Sequence, residues 1–290
     1  MIEIYLLEAL DAFYRLGTLS AAAEYLHISQ PALSRSMQKL EDILDVQLFE
    51  RTKNRITLNK TGKLAAVHAR RILDSEEEMI SIVRNFDRSL NTISVGFCAP
   101  GPIMELPSHL ARMYPKMKIS SELSDEQELI KGLHSRKYTM IILSYPYQEE
   151  GVTGFHYGSE HLYISLVPAH PAVMYKDQGL SFKDMNGETF VMSSRVGIWE
   201  ALTRRMMPDS RLILQDDPDA LNAVVNASSL PAFATDLTIH LFRSDSNPDR
   251  IFIPLKDPEA TMQYYCVLMN ETLEKLSKWT DFLAKKANQT

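Results

Sequence analysis

The chain has 290 residues, of which 45% are hydrophobic and 23% charged, and its formal net charge at pH 7 is −6. This length allows one or two domains with complete cores, and the composition is that of a folded protein rather than a disordered one. No segment approaches the roughly 18 consecutive apolar residues of a membrane helix, and the acidic N-terminal segment does not fit a signal peptide. We therefore expect a cytoplasmic protein that does not bind membranes.

The sequence has few residues suited to metal binding or catalysis. Cys98 and Cys266 are far apart and form neither a disulfide framework nor a zinc motif. The histidines are scattered, and His156 and His161 lack a third ligand at a useful spacing. There is no nucleophile elbow, phosphate-binding loop or glycine-rich dinucleotide turn. The sequence therefore predicts no metal, no cofactor and no enzyme active site.

Positive charge is concentrated in one stretch of this acidic chain. Between Arg51 and Leu73 there is no acidic residue, and there are seven basic ones: Arg51, Lys53, Arg55, Lys60, Lys63, Arg70 and Arg71. A solvated helix face would have a similar composition, but the unevenness also suits a surface that approaches phosphates.

The first 58 residues have the pattern of short helices followed by a hairpin. Apolar residues recur at helical spacing over 4–14, and Gly17 can end this first helix. In "TLSAAAEYLHI", Ser20 is the expected N-cap of a second helix, and Leu26 and Ile28 are expected in the core.

A third helix is predicted after Ser29, its expected N-cap. Pro31 then falls in the first turn, where backbone N–H groups have no intrahelical partner and a missing donor costs little. The apolar residues that follow are spaced by four, three and four and form one stripe: Leu33, Met37, Leu40 and Leu44. The segment from Ala21 to Leu40 is therefore predicted to be a helix, a tight turn and a second helix.

The segment "QLFERTKNRITLNKTG" predicts two strands joined at Lys53-Asn54, which would form a two-stranded wing. Asn59 can cap a long helix from about Lys60 to about Arg88. Residues spaced by four and three form a coiled-coil seam along it with one acidic interruption: Ala65, Ala69, Ile72, Glu76, Met79, Val83 and Phe86. Because one small domain would leave half of this stripe exposed, we expect pairing with a second copy of the chain.

From Thr92 onward short apolar strands alternate with helices, which indicates βαβ units and a largely parallel sheet. The predicted strands are 92–98, 117–124, 139–145, 161–168, 188–194, 211–215, 230–235, 250–255 and 263–269. The predicted helices are 102–114, 125–134, 197–207, 218–228 and 272–286.

The segments "GTLSAAAEYLHISQPALSRSMQKLE", "LFERTKNRITL" and "LNKTG" make the chain resemble the LysR-type transcriptional regulators, over its whole length and most strongly in the first 65 residues. The resemblance implies a winged helix-turn-helix at 1–58, a dimerising linker helix at 59–89, and a periplasmic-binding-protein-like α/β effector domain at 90–290. That domain would have one lobe of about 90–162 and 267–290 and a second of about 163–266. The resemblance also implies a homodimer through the linker helix and a homotetramer.

Three positions depart from the usual pattern of that family. Asp45 stands where glycine is usual after the recognition helix, but aspartate tolerates left-handed backbone better than most residues. Asn59 stands where threonine is usual and caps a helix about as well. The segment "YTMIIL" lacks the aspartate that family members commonly have there. We therefore do not assign the family's effector contacts to residues 138–142.

In a helix-turn-helix the second helix enters the major groove with its N-terminus first. Gln30 can then pair with adenine, Arg35 with guanine, and Ala32 can contact a thymine methyl group. The residues expected to contact double-stranded DNA are Ser29, Gln30, Pro31, Ala32, Ser34, Arg35 and Gln38 on the helix and Arg51, Lys53 and Arg55 on the wing. An isolated helix would favour a merely solvated face, but the neighbouring wing and acid-free stretch favour DNA; Arg70 and Arg71 are interpreted as solvated charges.

Two-lobed α/β domains bind ligands where strands end and helices begin, and helix N-termini favour anions. Such turns contain Cys98, Ala99, Pro100 and Gly101 in the first lobe and Ser193 and Ser194 in the second. By resemblance both turns face a cleft, with Trp199, Asn226, Ser228 and Phe233 as candidate walls. We therefore expect a small anionic effector. Cys98 itself is either a thiol activated by the helix or simply a small residue at a tight turn.

Two functions of different class follow from this sequence. One is an effector-responsive DNA-binding transcription regulator; the other is a solute-binding or enzymatic α/β protein with an incidental N-terminal helical domain. Salt-sensitive binding to duplex DNA separates them, because it requires the N-terminal domain to contact phosphates.

Overall fold

The computed structural model describes residues 1–52, 55–239 and 250–287. The chain divides into two compact units, Met1–Arg84 and Asn85–Thr290. Within the described ranges, no helix combines the length and the apolar character that crossing a membrane requires.

The N-terminal unit consists of short helices, a two-stranded ribbon and most of a long helix. Its elements are α1 (Ile4–Leu16), α2 (Leu19–Tyr25), α3 (Gln30–Leu44), β1 (Phe49–Thr52), β2 (Arg55–Leu58) and α4 (Lys60–Ser89). The two strands are antiparallel, with Phe49 opposite Leu58. This arrangement confirms the predicted winged helix-turn-helix and the long helix that follows it.

Local caps set the ends of these helices. Gly17 ends α1 in left-handed backbone with φ 72°, and Asp45 ends α3 in the same way with φ 53°. Asn59 Oδ1 accepts a hydrogen bond from Gly62 N at 2.7 Å at the start of α4. The prediction for α2 was wrong: Thr18, not Ser20, is the cap, because Thr18 has the extended backbone of a cap and its side chain accepts from Ala21 N.

The core of this unit follows the predicted stripe of α3 except at its end. Leu33, Met37 and Leu40 are buried, whereas Leu44 is 37% exposed. Glu41 is buried instead, and its Oε1 accepts hydrogen bonds from Leu48 N and Phe49 N, which join α3 to the wing. Ile28, expected in the core, is 40% exposed because it lies in the turn between α2 and α3.

The C-terminal unit alternates strands and helices, as predicted. Its strands are β3 (Thr92–Phe97), β4 (Lys118–Leu123), β5 (Met140–Leu143), β6 (Val152–Leu166), β7 (Thr189–Ser193), β8 (Arg211–Gln215), β9 (Ala232–Thr235), β10 (Ile251–Pro254) and β11 (Thr261–Met269). Its helices are α5 (Gly101–Met113), α6 (Glu126–His134), α7 (Phe182–Met185), α8 (Ile198–Met206), α9 (Pro218–Ala227) and α10 (Ser277–Ala287).

The strands of this unit form a mixed sheet in the order β4-β3-β5-β11-β6-β9-β7-β8, with β10 paired to β6. The pairs at the two ends are parallel, for example β3 with β4 and β7 with β8. The central pairs of β11 and β6 with each other and with their neighbours are antiparallel. The prediction of a largely parallel sheet was therefore wrong at its centre, because the last long strand, β11, returns against β6.

The central strand β6 belongs to both halves of the sheet. Its residues 152–161 pair with β11, and its residues 162–166 pair with β9 and β10. It starts nine residues earlier than the predicted strand 161–168. The predicted lobe boundaries after 162 and after 266 consequently fall inside β6 and β11, and the division of this unit into those two lobes stays a prediction.

Candidate DNA-binding surface and effector pocket

The N-terminus of α3 is fixed by its own sequence. Ser29 has extended backbone, and its Oγ accepts a hydrogen bond from Ala32 N at 3.3 Å. Pro31 lies in the first turn, as predicted, where the N–H that it lacks would have had no helical partner. The chain therefore starts a rigid helix immediately after the turn that follows α2.

The polar residues predicted to contact DNA lie on one side of α3. Gln30, Pro31, Arg35 and Gln38 are exposed, and Ala32 and Ser34 are half-buried. Gln30 Nε2 donates to Ser20 Oγ at 2.7 Å, and Arg35 Nε donates to Pro31 O at 3.3 Å. Gln38 Nε2 donates to Asp42 Oδ1 at 3.2 Å. These weak surface contacts orient the side chains and are exposed enough to exchange for contacts with bases.

The wing places two of the three predicted basic residues on paired strands. Arg51 is opposite Ile56, and Arg55 is opposite Thr52. Lys53 lies outside the described residues. Farther along, Arg70 is engaged within the protein: its guanidinium lies 3.7 Å from Asp11, 2.5 Å from Asp74 and 3.6 Å from Glu77. These carboxylates compete with any phosphate for Arg70.

The long helix α4 has an exposed apolar stripe between Ile72 and Phe86. Ile72 is 48% exposed, Met79 58%, Val83 62% and Phe86 52%. Toward the start of the helix, Ala69 is buried in the core of the N-terminal unit. The predicted seam is therefore packed within its own unit near the start of α4 and is open to solvent farther along.

The C-terminal unit contains a pocket of about 280 Å³ bordered by α5, α8, α9 and the ends of β7 and β9. Most of its wall is apolar, and its polar side chains are few. The lining residues are Pro100, Met104, Glu160, Leu162, Val191, Met192, Ser193, Arg195, Val196, Trp199, Asp216, Pro218, Leu221, Asn222, Ala232, Phe233, Ala234, Thr235 and Thr238. An apolar concavity with a few polar groups is typical of a small-molecule site.

Four of the predicted effector residues line this pocket: Pro100, Ser193, Trp199 and Phe233. Cys98, Ala99 and Gly101 are buried next to it, at the start of α5. Ser194, Asn226 and Ser228 lie outside the lining. Ser194 Oγ donates to Asp216, Asn226 is on the exposed side of α9, and Ser228 Oγ accepts from Leu230 N at 3.4 Å.

The two loops that carry the predicted anion sites contact each other directly. Ile198 N, the first N–H of α8, donates to Cys98 O at 3.2 Å. Gly197, with φ 57°, allows this approach, since a Cβ at that position would lie 2.1 Å from Cys98 O. The first donor of α8 is therefore used by the protein itself.

Glu160 is the buried charged group of the pocket, and the sequence patterns did not single it out. It is 1% exposed, and its Oε2 accepts hydrogen bonds from Trp199 Nε1 at 3.2 Å and from Tyr264 Oη at 2.5 Å. Burial raises its pKa above the usual value, and the polar side chains of Thr235, Tyr264 and Trp199 oppose this only in part. Its position in β6 was the available signal, because Glu160 falls on the same face of the strand as buried Leu162 and Ile164.

Cys98 has the environment of a structural thiol. It is 1% exposed at the end of β3, and burial raises its pKa, so the reactive thiolate is disfavoured. Its surroundings match a small residue at a tight turn. Among the described residues, no cluster of three or more histidine, cysteine or acidic side chains is arranged to hold a metal ion.

Comparison with known families identifies both units. Residues 4–63 match the family described as "Bacterial regulatory helix-turn-helix protein, lysR family", and residues 91–287 match the "LysR substrate binding domain". The chain belongs to the LysR family. LysR membership places it with regulatory proteins rather than with enzymes.

Individual relatives of this LysR-family chain match it to different extents. The nitrogen assimilation regulatory protein nac of Escherichia coli (strain K12) is 45% identical over 87 residues, which are 30% of this chain and 28% of that protein. The HTH-type transcriptional regulator BenM of Acinetobacter baylyi is 25% identical over 263 residues, 86% of this chain and 84% of BenM. For three further relatives the chain spans 54% to 62% of the relative's length.

Full-length OxyR from Pseudomonas aeruginosa has a similar solved structure. Its TM-score is 0.53 at 18% identity, and the match covers 96% of this chain and 99% of that one. At this identity the likeness shows the LysR fold, and it does not transfer a ligand.

Proposed function

We propose that the chain is a sequence-specific, DNA-binding transcription regulator whose activity is controlled by a small-molecule effector. The observation that carries DNA binding is the exposed polar face of α3, which starts at Ser29 beside a two-stranded wing with Arg51 and Arg55 on its strands. An N-terminus of this kind presents side chains to base edges, and wing residues add affinity through phosphates.

A second copy of the chain is the proposed occupant of the exposed stripe on α4. Ile72, Met79, Val83 and Phe86 are spaced by seven, four and three, so they lie on one side of the helix. Their exposure in a single chain favours burial against a second α4. A homodimer would present two recognition helices to two half-sites, and a homotetramer, implied by resemblance alone, would present four.

The pocket lined by Trp199 and Phe233 is the proposed effector site. For an anionic effector, as the sequence predicts, the charged lining residues restrict the positions that the anionic group can occupy. Glu160 and Asp216 disfavour an anion nearby, whereas Arg195 is exposed at the pocket and is the cation among its described lining residues. The proposed position of an anionic group is therefore beside Arg195 and Ser193.

Chromatin immunoprecipitation with sequencing, followed by titration of the purified chain with the recovered duplex, tests the proposal. A regulator should prefer the recovered duplex over a scrambled duplex of equal length, and its affinity should fall as salt rises, because each phosphate contact releases counterions. If the chain shows no salt-sensitive binding to either duplex, the solute-binding or enzymatic alternative replaces the regulator. Neighbouring target genes then suggest effectors to test in the same titration.

A further inference from the structure

Glu160 has one carboxylate oxygen that the protein uses and one that it does not. Oε2 accepts the hydrogen bonds from Trp199 and Tyr264, while Oε1 is buried and accepts no hydrogen bond of ordinary geometry from the described residues. The side chain of Thr235 lies close enough to lower the Glu160 pKa, but it makes no such bond to Oε1. A buried acceptor without a partner is costly, and native proteins rarely keep one without a purpose. Glu160 lines the pocket, and Oε1 packs against Gly101, so a ligand that draws this oxygen away from Gly101 is in a position to supply the missing partner.

The start of α5 is closed to an anionic ligand group by this same carboxylate. The ideal Cβ position at Gly101 lies 2.3 to 2.5 Å from the carboxylate atoms of Glu160, so the carboxylate packs directly on the first residue of α5. A helix N-terminus favours an acidic group, and here the protein itself places a carboxyl group at that position. A ligand carboxylate at the same place would meet Glu160.

We propose that Glu160 Oε1 receives a hydrogen-bond donor of the effector, a hydroxyl or an amine, at the buried end of the pocket. This inference rests on the proposed effector site and names the chemistry of the ligand at that site. The effector would then be a small molecule with an apolar body that carries a donor group at its inner end. An anionic group, where present, would lie at the other end beside Arg195.

The wall next to Glu160 suits such an apolar body. Leu162 and Val191 are buried strand residues of the pocket, and the Phe233 ring stacks on Phe190 with a centroid distance of 4.5 Å. Fixed rings and branched side chains select the shape of the ligand, and one unsatisfied acceptor among them fixes its orientation. A ligand of the same shape without a donor would leave Oε1 unsatisfied.

Three probes of nearly equal shape test this inference: 2-phenylethanol, 2-phenylethylamine and propylbenzene, which end in a hydroxyl, an amine and a methyl group. Binding to the full chain is followed by the ¹⁵N-indole resonances of its two tryptophans, because Trp199 bonds to Glu160 and Trp279 is buried elsewhere. We expect the alcohol and the amine to shift the Trp199 resonance and to bind at least about tenfold more tightly than propylbenzene.

Two substitutions of Glu160 then distinguish recognition of a ligand hydrogen-bond donor from non-specific apolar binding. In Glu160→Leu, propylbenzene should bind as tightly as the alcohol or more so. In Glu160→Gln, the amide oxygen should keep the bonds from Trp199 and Tyr264, so the amide N–H₂ faces the pocket. The affinity of the alcohol, which can also accept a hydrogen bond, should then stay within about threefold of its wild-type value. The affinity of the charged amine, which can only donate, should fall about tenfold.

Asp216→Leu is the matched control, because it removes another acidic lining residue that is exposed rather than buried. It should leave the preference for the uncharged alcohol over propylbenzene unchanged. The inference is overturned if Glu160→Leu keeps the preference of the wild type, if Asp216→Leu abolishes it equally, or if no probe shifts Trp199. Failure here is distinct from failure of the proposed function, since duplex binding by the same preparations decides whether the chain is a DNA-binding regulator.

Discussion

Arg35 is the side chain of α3 that most directly tests base recognition. It is exposed, and within the helix its Nε contacts only the Pro31 carbonyl at 3.3 Å among the described hydrogen bonds, so truncation should not disturb the fold. If it reads a guanine, Arg35→Ala should cost about 1–3 kcal/mol of specific binding and leave non-specific binding nearly unchanged. Footprinting and duplex titration at one salt concentration measure both.

Arg71→Ala provides the comparison for that experiment, because Arg71 is an exposed arginine on α4 away from the recognition helix. It should change specific affinity far less than Arg35→Ala. Equal protection of the operator by the Arg35 variant and the wild type would remove Arg35 from the base-reading set.

The raised pKa of Glu160 predicts a pH dependence of stability. A group with a raised folded pKa stabilises the protein below its unfolded pKa, near 4.5, and loses that contribution as pH rises through the folded pKa. Glu160→Gln does not ionise, so its melting temperature minus that of the wild type should increase as pH rises from about 4.5. Thermal unfolding across that range measures the difference.

Asp184→Asn is a control of opposite character. Hydrogen bonds from Ser181 lower the pKa of Asp184, so this carboxyl is already ionised across the same pH range in both folded and unfolded chains. The difference in melting temperature for this variant should therefore stay flat. A flat difference for Glu160→Gln as well would mean that burial does not raise the pKa of Glu160 in the folded chain.

Sequence reasoning succeeded at residues whose roles are local and missed those whose roles are not. Ser29, Pro31 and Asp45 are explained by the conformations of the adjacent residues, and those patterns are visible in the sequence. Glu160 depends on Trp199 and Tyr264, which lie 39 and 104 residues away, so no short pattern contains the site.

At the scale of elements, α4 makes a clear prediction about assembly. Replacing both Met79 and Val83 with aspartate would bury unpaired charges if this stripe packs against a second α4. The double variant should dissociate to a monomer and lose specific duplex affinity together with dimerisation. Sedimentation velocity and duplex titration measure the two losses.

Val67→Asp controls for the chemistry of that change. Val67 is 42% exposed, but its position in the heptad places it on the opposite side of α4 from Met79 and Val83. It should leave the assembly intact. An intact dimer in the double variant would show that the main interface lies elsewhere.

Elements were predicted well where they are amphipathic and short, as in β8, whose observed bounds equal the predicted 211–215. The first half of β6 was missed because Gly154 and Gly158 interrupt a polar stretch that does not look like a strand. The antiparallel centre of the sheet was missed for another reason. The pairing of β6 with β11 depends on packing between segments about 100 residues apart in the chain, which a local sequence pattern cannot predict.

At the scale of the whole C-terminal unit, Gly197 predicts how the pocket depends on the contact between its two loops. In Gly197→Ala the added methyl group would meet the Cys98 carbonyl at 2.1 Å, so the loops must separate. We expect 2-phenylethanol to bind at least about tenfold more weakly and any effector-dependent change of the DNA footprint to be lost. Basal duplex binding should persist, since the substitution lies outside the N-terminal unit.

Gly151→Ala separates this effect from backbone strain. Gly151 also has a positive φ, 82°, but no heavy atom lies within 4 Å of its ideal Cβ position. It carries a backbone penalty without a collision, so it should lower stability while leaving probe binding near that of the wild type. Equal losses in the two variants would mean that strain alone explains them.

The continuity of β6 has a mechanical consequence for this unit. A strand of 15 residues is roughly 50 Å long, and here it is hydrogen-bonded on one part to β11 and on the other to β9 and β10. One continuous strand thus joins the two parts of the sheet. We therefore expect any relative movement of the two parts of the sheet to twist or bend β6, most readily near Gly158, where the register with β11 shifts between Tyr264 and Tyr265. Glu160 lies two residues from Gly158 and accepts a hydrogen bond from Tyr264 at this register shift, so the proposed ligand contact would lie where the two parts of the sheet join.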